Sequence, residues 1–343
     1  MSNENPHKYG LIKDNSKTII QTINFTSSHI NNYMLKTKSN LYNTINLPPI
    51  FDLRTTLKNG LPECQQPYNQ ENIGSCTAQG SAFLYVFEQL KQNNECPIMP
   101  SRLDIYYNSR YYTNTINKDS GSTITFALKS LLNGVCIEKE CPYITKNFKI
   151  NASEQCQDRK KIFKALSISS IDIDYKISQN DIIIRLKNSL LSGYPFIFGF
   201  DVYSSFNSRD WQNKGIMPLP QENEAIVESH CVVAIGYDDE KQSFLIRNSW
   251  GVNWGISTDR GHFYMPYSFI VNQKYAYEFK ILEDVTNPIS FKKEYDSSYL
   301  NPYNTELILQ DYNMVKLKSS RLICFIYTYF ICLFNLIKNI FKK

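Results

Sequence analysis

The chain has 343 residues, 42 % hydrophobic and only 20 % charged, with 24 Tyr and 20 Phe. That composition excludes a disordered protein and is enough to bury a sizeable core in one large domain or two modest ones. The net charge of +5 is concentrated in residues 312–343, which hold six basic residues and no acid; the other 311 residues sum to −1. A near-neutral body lacks the basic footprint of a nucleic-acid binder, so no nucleic-acid partner is expected.

Residues 1–48 are polar and read as an N-terminal extension ending at Pro48-Pro49. They contain no apolar core of a secretory signal. The nine cysteines are an odd number and two of them, Cys324 and Cys332, lie in an apolar tail. Neither fact suggests a complete disulfide framework, although a pair such as Cys136 with Cys141 stays open, and a reduced, cytosol-facing body is the simpler expectation.

The body spans 49–285. Phe83, Leu84, Phe87 and Leu90 recur at helical spacing and predict a helix starting near Ser75 or Cys76, with one buried stripe. Ser101-Arg102-Leu103-Asp104 is a capping-box arrangement with Asp in place of Glu, and marks a second helix. A third runs from about Ser122 to Leu132, stopped by Asn133-Gly134. Beyond residue 190 the runs 196–202, 231–237, 243–248 and 261–265 are short and rich in β-branched and aromatic residues, with turn signals such as Asp238-Asp239-Glu240-Lys241 between them. Helices first and strands later imply an α+β fold in two parts.

Residues 286–320 read as a polar linker and 321–341 as a candidate transmembrane helix. Residues 322–337 carry no formal charge, and about twenty residues at ~1.5 Å each can cross a ~30 Å hydrocarbon core. Tyr327, Tyr329 and Asn335 weaken that signal, and an interfacial or buried helix is the competing reading. The expectation is a single-pass C-terminal anchor of unspecified orientation.

Three residues carry nucleophilic chemistry. Cys76, in Gly74-Ser75-Cys76-Thr77, stands at a helix start, where amides and dipole favour a thiolate. A buried cysteine on a helix is the plainer alternative. His230 opens an apolar strand and can take and return a proton; His7 and His29 precede the body and His262 lies in a later strand, so His230 leads by elimination, with a satisfied core histidine as the alternative. Asn248 ends a strand in Asn248-Ser249-Trp250-Gly251-Val252-Asn253-Trp254-Gly255, where its amide oxygen can accept from one ring N–H and the Trp250 indole can shield that bond. A turn with packed aromatics is the alternative there.

Together these residues resemble the papain-like cysteine peptidases, in the motif style of bacterial and viral members. In that family a glutamine stands six residues before the nucleophile and donates to the oxyanion, which is the place of Gln70 here. The resemblance covers roughly residues 50–282 and implies a helical half carrying Cys76 facing a β-rich half carrying His230 and Asn248, with the cleft between. It implies a cysteine endopeptidase acting on polypeptides through a thioester, with no metal or organic cofactor. Gly121 and Ser122, in the segment whose backbone holds extended substrate in the family, are candidate substrate contacts, or simply a helix cap. A papain-fold acyl transferase and a non-catalytic binding or virion component are the alternatives.

The chain departs from the family at Ile73, where secreted members carry cysteine, at Glu71, where glycine is usual, and at Thr77, where an aromatic residue is common. The separations of 154 and 172 residues from Cys76 to His230 and Asn248 exceed the usual ~130–150, which places extra length between residues 146 and 228. The extension lacks the helical inhibitory pattern of the family's propeptides, so propeptide removal is not the expected route of activation.

Overall fold

A computed structural model describes residues 8–14, 21–23, 47–173, 175–208, 211 and 215–302. The expected first helix is α1 (Cys76–Lys91), buried at every position from Cys76 to Gln89. It is therefore a core helix packed all round rather than one with a single apolar stripe. Gly80 allows this, because a Cβ there would come within 2.7 Å of Cδ1 of Ile197, so the helix backbone rests directly on the sheet.

Helix α2 (Arg102–Tyr111) starts where the capping box sets it: Ser101 Oγ accepts from the Asp104 amide at 3.1 Å. Helix α3 (Ile124–Leu132) begins two residues later than Ser122, because Thr123 is the cap, accepting from the Phe126 amide at 3.1 Å. It stops at Asn133, with Gly134 following at φ +109°. Both helices pack on α1.

The β half is one sheet. Its strands are β1 (Gln21–Ile23), β2 (Ile50–Asp52), β3 (Ala165–Ile171), β4 (Phe196–Tyr203), β5 (Ile226–Asp238), β6 (Ser243–Arg247), β7 (His262–Pro266) and β8 (Ala276–Val285). The order is β1-β3-β8-β4-β5-β6-β7, with β2 added to β5. Among the described strands, only β1 and β3 pair in parallel. The four predicted strands are β4 to β7, while β8 went unread because Glu278, Lys280 and Glu283 interrupt its apolar run.

Helices and strands are less segregated than expected. Helix α4 (Glu154–Arg159), β3 and helix α5 (Gln179–Leu191) all lie in the region where extra length was placed, and α6 (Tyr267–Ile270) follows β7.

Parts of both polar ends belong to the packed body. Residues 8–14 enter the cleft, as detailed below. Phe291 packs edge-on against Phe163 at 4.8 Å, and Pro302 O accepts from Arg102 Nη2 at 2.9 Å. The apolar run at 322–337 lies outside the described residues. Among those described, no helix is long and apolar enough to cross a membrane.

Candidate active site

Strand β5 is exposed at Ile226, Val227 and Glu228 and becomes fully buried at His230. Its antiparallel register with β6 pairs Val233 with Arg247, and extending it by one pair sets Asn248 across from Val232, on the face that also carries His230. The side chains meet there: His230 Nε2 and Asn248 Oδ1 are 2.8 Å apart. A carboxamide oxygen only accepts, so the ring proton sits on Nε2, and neutral His230 keeps its lone pair on Nδ1. Asn248 Oδ1 also accepts from the Ser249 amide at 2.8 Å, which holds the carboxamide in that orientation. The Trp250 ring stacks on the imidazole at 5.0 Å and 28°, and Phe200 meets it edge-on at 5.8 Å.

Cys76 is fully buried at the start of α1. Amides of Cys231, Thr77, Gly10 and Cys76 itself reach its sulfur. The Cys231 amide belongs to the residue after His230, so the helix start and the histidine strand meet at this sulfur. Burial pushes the thiol up to about 12, and the amides draw it back only in part. The helix start that favours a thiolate in the sequence is present, but with the cleft filled, desolvation outweighs it.

Gln70 is fully buried and tied at both ends of its amide. Oε1 accepts from Ser249 Oγ at 2.6 Å, while Nε2 donates to Ile73 O at 3.0 Å and to Lys8 O at 2.8 Å. Its backbone carbonyl accepts from Tyr143 Oη at 2.9 Å. The turn after it is left-handed: Glu71 has φ +55°, a glycine-like backbone carried by a larger residue. Thr77 bonds Ser122 Oγ at 2.5 Å, tying the helix start to the loop of the candidate substrate contacts.

That loop holds an extended peptide, and the peptide is the chain's own. Ser122 N donates to Gly10 O at 2.9 Å and Ser122 O accepts from Ile12 N at 3.0 Å. Gly10 is pressed between Gly74 and Gly121: a Cβ on Gly10 would lie 2.1 Å from Gly74 O, and one on Gly121 would lie 2.2 Å from Gly10 O. The Tyr9 ring lies 5.5 Å from the His230 ring and 5.4 Å from that of Trp250, and its hydroxyl donates to Asn207 Oδ1 at 2.5 Å. Leu11 is buried over Gly199 of β4, and its amide donates to Ser229 O at 3.2 Å. Lys8 bridges to Asp119 at 2.5 Å and Lys13 to Asp201 at 2.8 Å.

The structure therefore brings Cys76, His230, Asn248, Gln70, Trp250, Gly121 and Ser122 to one cleft. The sequence reading gave no site role to Lys8, Tyr9, Gly10, Leu11, Ser249 or Tyr143. A signal existed for the first group, since Tyr9-Gly10-Leu11-Ile12 is an apolar run with a glycine inside an otherwise polar stretch. Cys136 and Cys141 are both free thiols. Among the described residues no cluster of His, Cys, Asp or Glu is arranged to hold a metal ion.

Residues 47–276 match the family model described as papain family cysteine protease. The chain is 36 % identical over 265 residues to an uncharacterized peptidase C1-like protein of Acanthamoeba polyphaga mimivirus, covering 76 % of this chain and 83 % of that one. Among solved structures it superposes on xylellain, a cysteine protease from Xylella fastidiosa, with TM-score 0.66 and 33 % identity, covering 80 % of this chain and 96 % of xylellain. Procathepsin B of Trypanosoma congolense, at TM-score 0.57 and 15 % identity over 79 % of this chain and 85 % of its own, shares the fold.

Proposed function

This chain belongs to the papain family of cysteine proteases, and from that premise we propose that it is an endopeptidase whose nucleophile is Cys76. In this reading His230 Nδ1 takes the thiol proton, the thiolate attacks the peptide carbonyl carbon, and the Gln70 amide with the Cys76 N–H holds the oxyanion. The imidazolium then returns its proton to the leaving amine as the carbon–nitrogen bond breaks. A thioester remains, and water activated by His230 hydrolyses it to free acid and thiol. Asn248 keeps the ring in the tautomer that leaves Nδ1 basic, Trp250 shields that contact, and the backbone of Gly121 and Ser122 holds an extended polypeptide substrate.

The observation that carries the proposal is the 2.8 Å contact of His230 Nε2 with Asn248 Oδ1, one residue from the amide that reaches the Cys76 sulfur. Its test is labelling by a peptide epoxide and hydrolysis of an unfolded protein substrate. Both are measured on the wild type and on Gly10→Val, whose side chain has no room beside Gly74. Labelling and cleavage that vanish on adding Cys76→Ala support the proposal. A folded, reduced Gly10→Val protein that neither labels nor cleaves overturns it in favour of a non-catalytic binding role, and products formed only with added amines indicate an acyl transferase.

The same proposal takes the uncharged run at 322–337, flanked by basic residues, as a C-terminal membrane anchor. Sedimentation of the full chain with membranes through a carbonate wash, lost when this run is removed, is the expected result. Recovery in the soluble fraction overturns it.

A further inference from the structure

We propose that Asp201 is a cation-recognition site in the β wall of the cleft, and that it directs the enzyme to polypeptides carrying lysine or arginine at one fixed position near the scissile bond. The substrate class rests on the proteolytic reading above; the site itself rests on geometry alone.

Strand β4 carries Asp201 into the wall, where only 3 % of its side chain is exposed. A carboxylate so far removed from water needs partners on both oxygens. Oδ1 accepts from Ser229 Oγ and from Tyr277 Oη, both at 2.9 Å. Those two hydroxyls hold the carboxylate from behind and turn Oδ2 outward, where Lys13 Nζ meets it at 2.8 Å. The same ammonium stands over the Tyr277 ring, 4.7 Å from its centroid. Carboxylate and ring face together make a half-cage for a positive charge.

The two halves of this ion pair differ in kind. Asp201 is a fixed part of the sheet, whereas the Lys13 side chain is half exposed and arrives on an extended segment that meets the walls through its backbone. Any extended polypeptide that takes the place of that segment must bring a cation to Oδ2 or leave a desolvated carboxylate without one. An apolar or acidic side chain at this point is therefore rejected and a basic one selected.

The register of the selection is set by the strand. Residues two apart on a strand share a face, and on β4 Gly199 lies under Leu11 while Asp201 lies under Lys13. A Cβ at 199 would come within 2.5 Å of Leu11 Cδ2, so an apolar side chain rests directly on the strand there. The wall thus reads an apolar and a basic side chain separated by one residue, which is how a strand specifies an extended peptide. Asp201 pairs with Ser229, the residue before His230, so the basic side chain belongs to a residue close to the bond that is cut.

The test has two arms. Gly10→Val is given a library of proteome-derived peptides, and the cleavage sites are read by mass spectrometry; lysine and arginine should be enriched at a single position. For a peptide pair differing there only as Lys against Gln, kcat/KM should favour Lys at least about tenfold. That ratio should fall to within about twofold when Asp201→Asn is added, a change that keeps an acceptor for the Ser229 and Tyr277 hydroxyls. A ratio near one in Gly10→Val, or one that survives Asp201→Asn, overturns the proposal. The second arm needs no turnover: Gly10→Val with Cys76→Ala is titrated with a synthetic peptide of residues 8–14 and with its Lys13→Gln version. The Kd should rise at least about tenfold for the latter, and the gap should close with Asp201→Asn. Equal affinities, or binding of neither peptide, overturn the proposal. A lysine preference in binding without cleavage of any peptide leaves the cation site standing and sinks the hydrolytic reading.

Discussion

Ser249 Oγ donates to Gln70 Oε1 at 2.6 Å, and this bond decides which end of the Gln70 amide faces the cleft. With Oε1 taken, Nε2 is left to donate to Lys8 O, which in the proposed mechanism holds the place of the substrate carbonyl oxygen. Gln70→Ala is expected to lower kcat by ~10²–10³-fold, the loss typical of one oxyanion donor. Ser249→Ala keeps the donor but frees it to turn, so kcat should fall by a smaller factor with KM little changed. Steady-state kinetics on the Gly10→Val background measure both; a Ser249→Ala variant as impaired as Gln70→Ala would show that Ser249 does more than orient.

His230 depends on Asn248 for its tautomer. Asn248→Ala removes the acceptor for Nε2–H, so the neutral ring populates both tautomers and turns more freely between Trp250 and Phe200. The expected cost is ~10–100-fold in kcat/KM, below the ~10²–10⁴-fold that loss of a positioned general base itself would bring. His230→Ala should cost more, and its residual rate should lose the acid-side inflection of the pH profile.

The Cys76 thiol gives a pH prediction with a definite sign. Burial raises it to about 12, against about 8.5 for a free thiol, so the closed, folded molecule favours the neutral form. The stability this contributes is full below the unfolded thiol's value and is lost as pH climbs from there towards 12. Alkylation of wild-type Cys76 should therefore be slow at pH 8 and rise steeply above pH 9, while in Gly10→Val, where water and the helix dipole reach the sulfur, the rise should come at lower pH. Coincident profiles would show that the filled cleft is not what holds the thiol neutral.

Glu71 occupies a left-handed backbone at φ +55°, which costs a residue with a Cβ ~1 kcal/mol relative to glycine. Among the described residues its side chain accepts an exposed hydrogen bond from Thr145 Oγ1 at 3.2 Å. Glu71→Gly is expected to raise unfolding stability by ~1 kcal/mol, or ~2 °C in Tm for a body of this size, leaving kcat/KM unaltered. A thermal melt with no gain would mean that the Glu71 contacts offset the backbone strain.

Arg102 and Glu138 form a buried ion pair whose guanidinium also donates to Gln79 Oε1 and Pro302 O at 2.9 Å. Removing one partner strands the other charge, so Glu138→Ala should cost ~3–5 kcal/mol in a denaturant titration. Glu138→Met with Arg102→Met together should cost much less than the single change, since no lone charge remains.

Much of the architecture was legible because its signals are local. Ser101 with Asp104, the Asn133-Gly134 stop and the Asp238-Asp239-Glu240-Lys241 turn act over a few residues, and each marks an element boundary where it was read. The body's β8 and α5 were missed because charged residues interrupt their apolar runs, and what stabilises them is packing against strands distant in the chain.

The sequence alone determined which chemical groups the molecule possesses and their order: a cysteine at a helix start, a histidine opening a buried strand and an Asn-Ser-Trp-Gly strand end, each defined by its near neighbours. Tertiary structure alone decided that residues 8–14 would lie among them. Seating that segment requires three glycines, at 10, 74 and 121, to converge within van der Waals contact. No spacing along the chain encodes such a convergence, because it depends on where the folded walls of the cleft finally stand. The same closure decided the state of Cys76, since its helix favours the thiolate but the water a thiolate needs has been displaced.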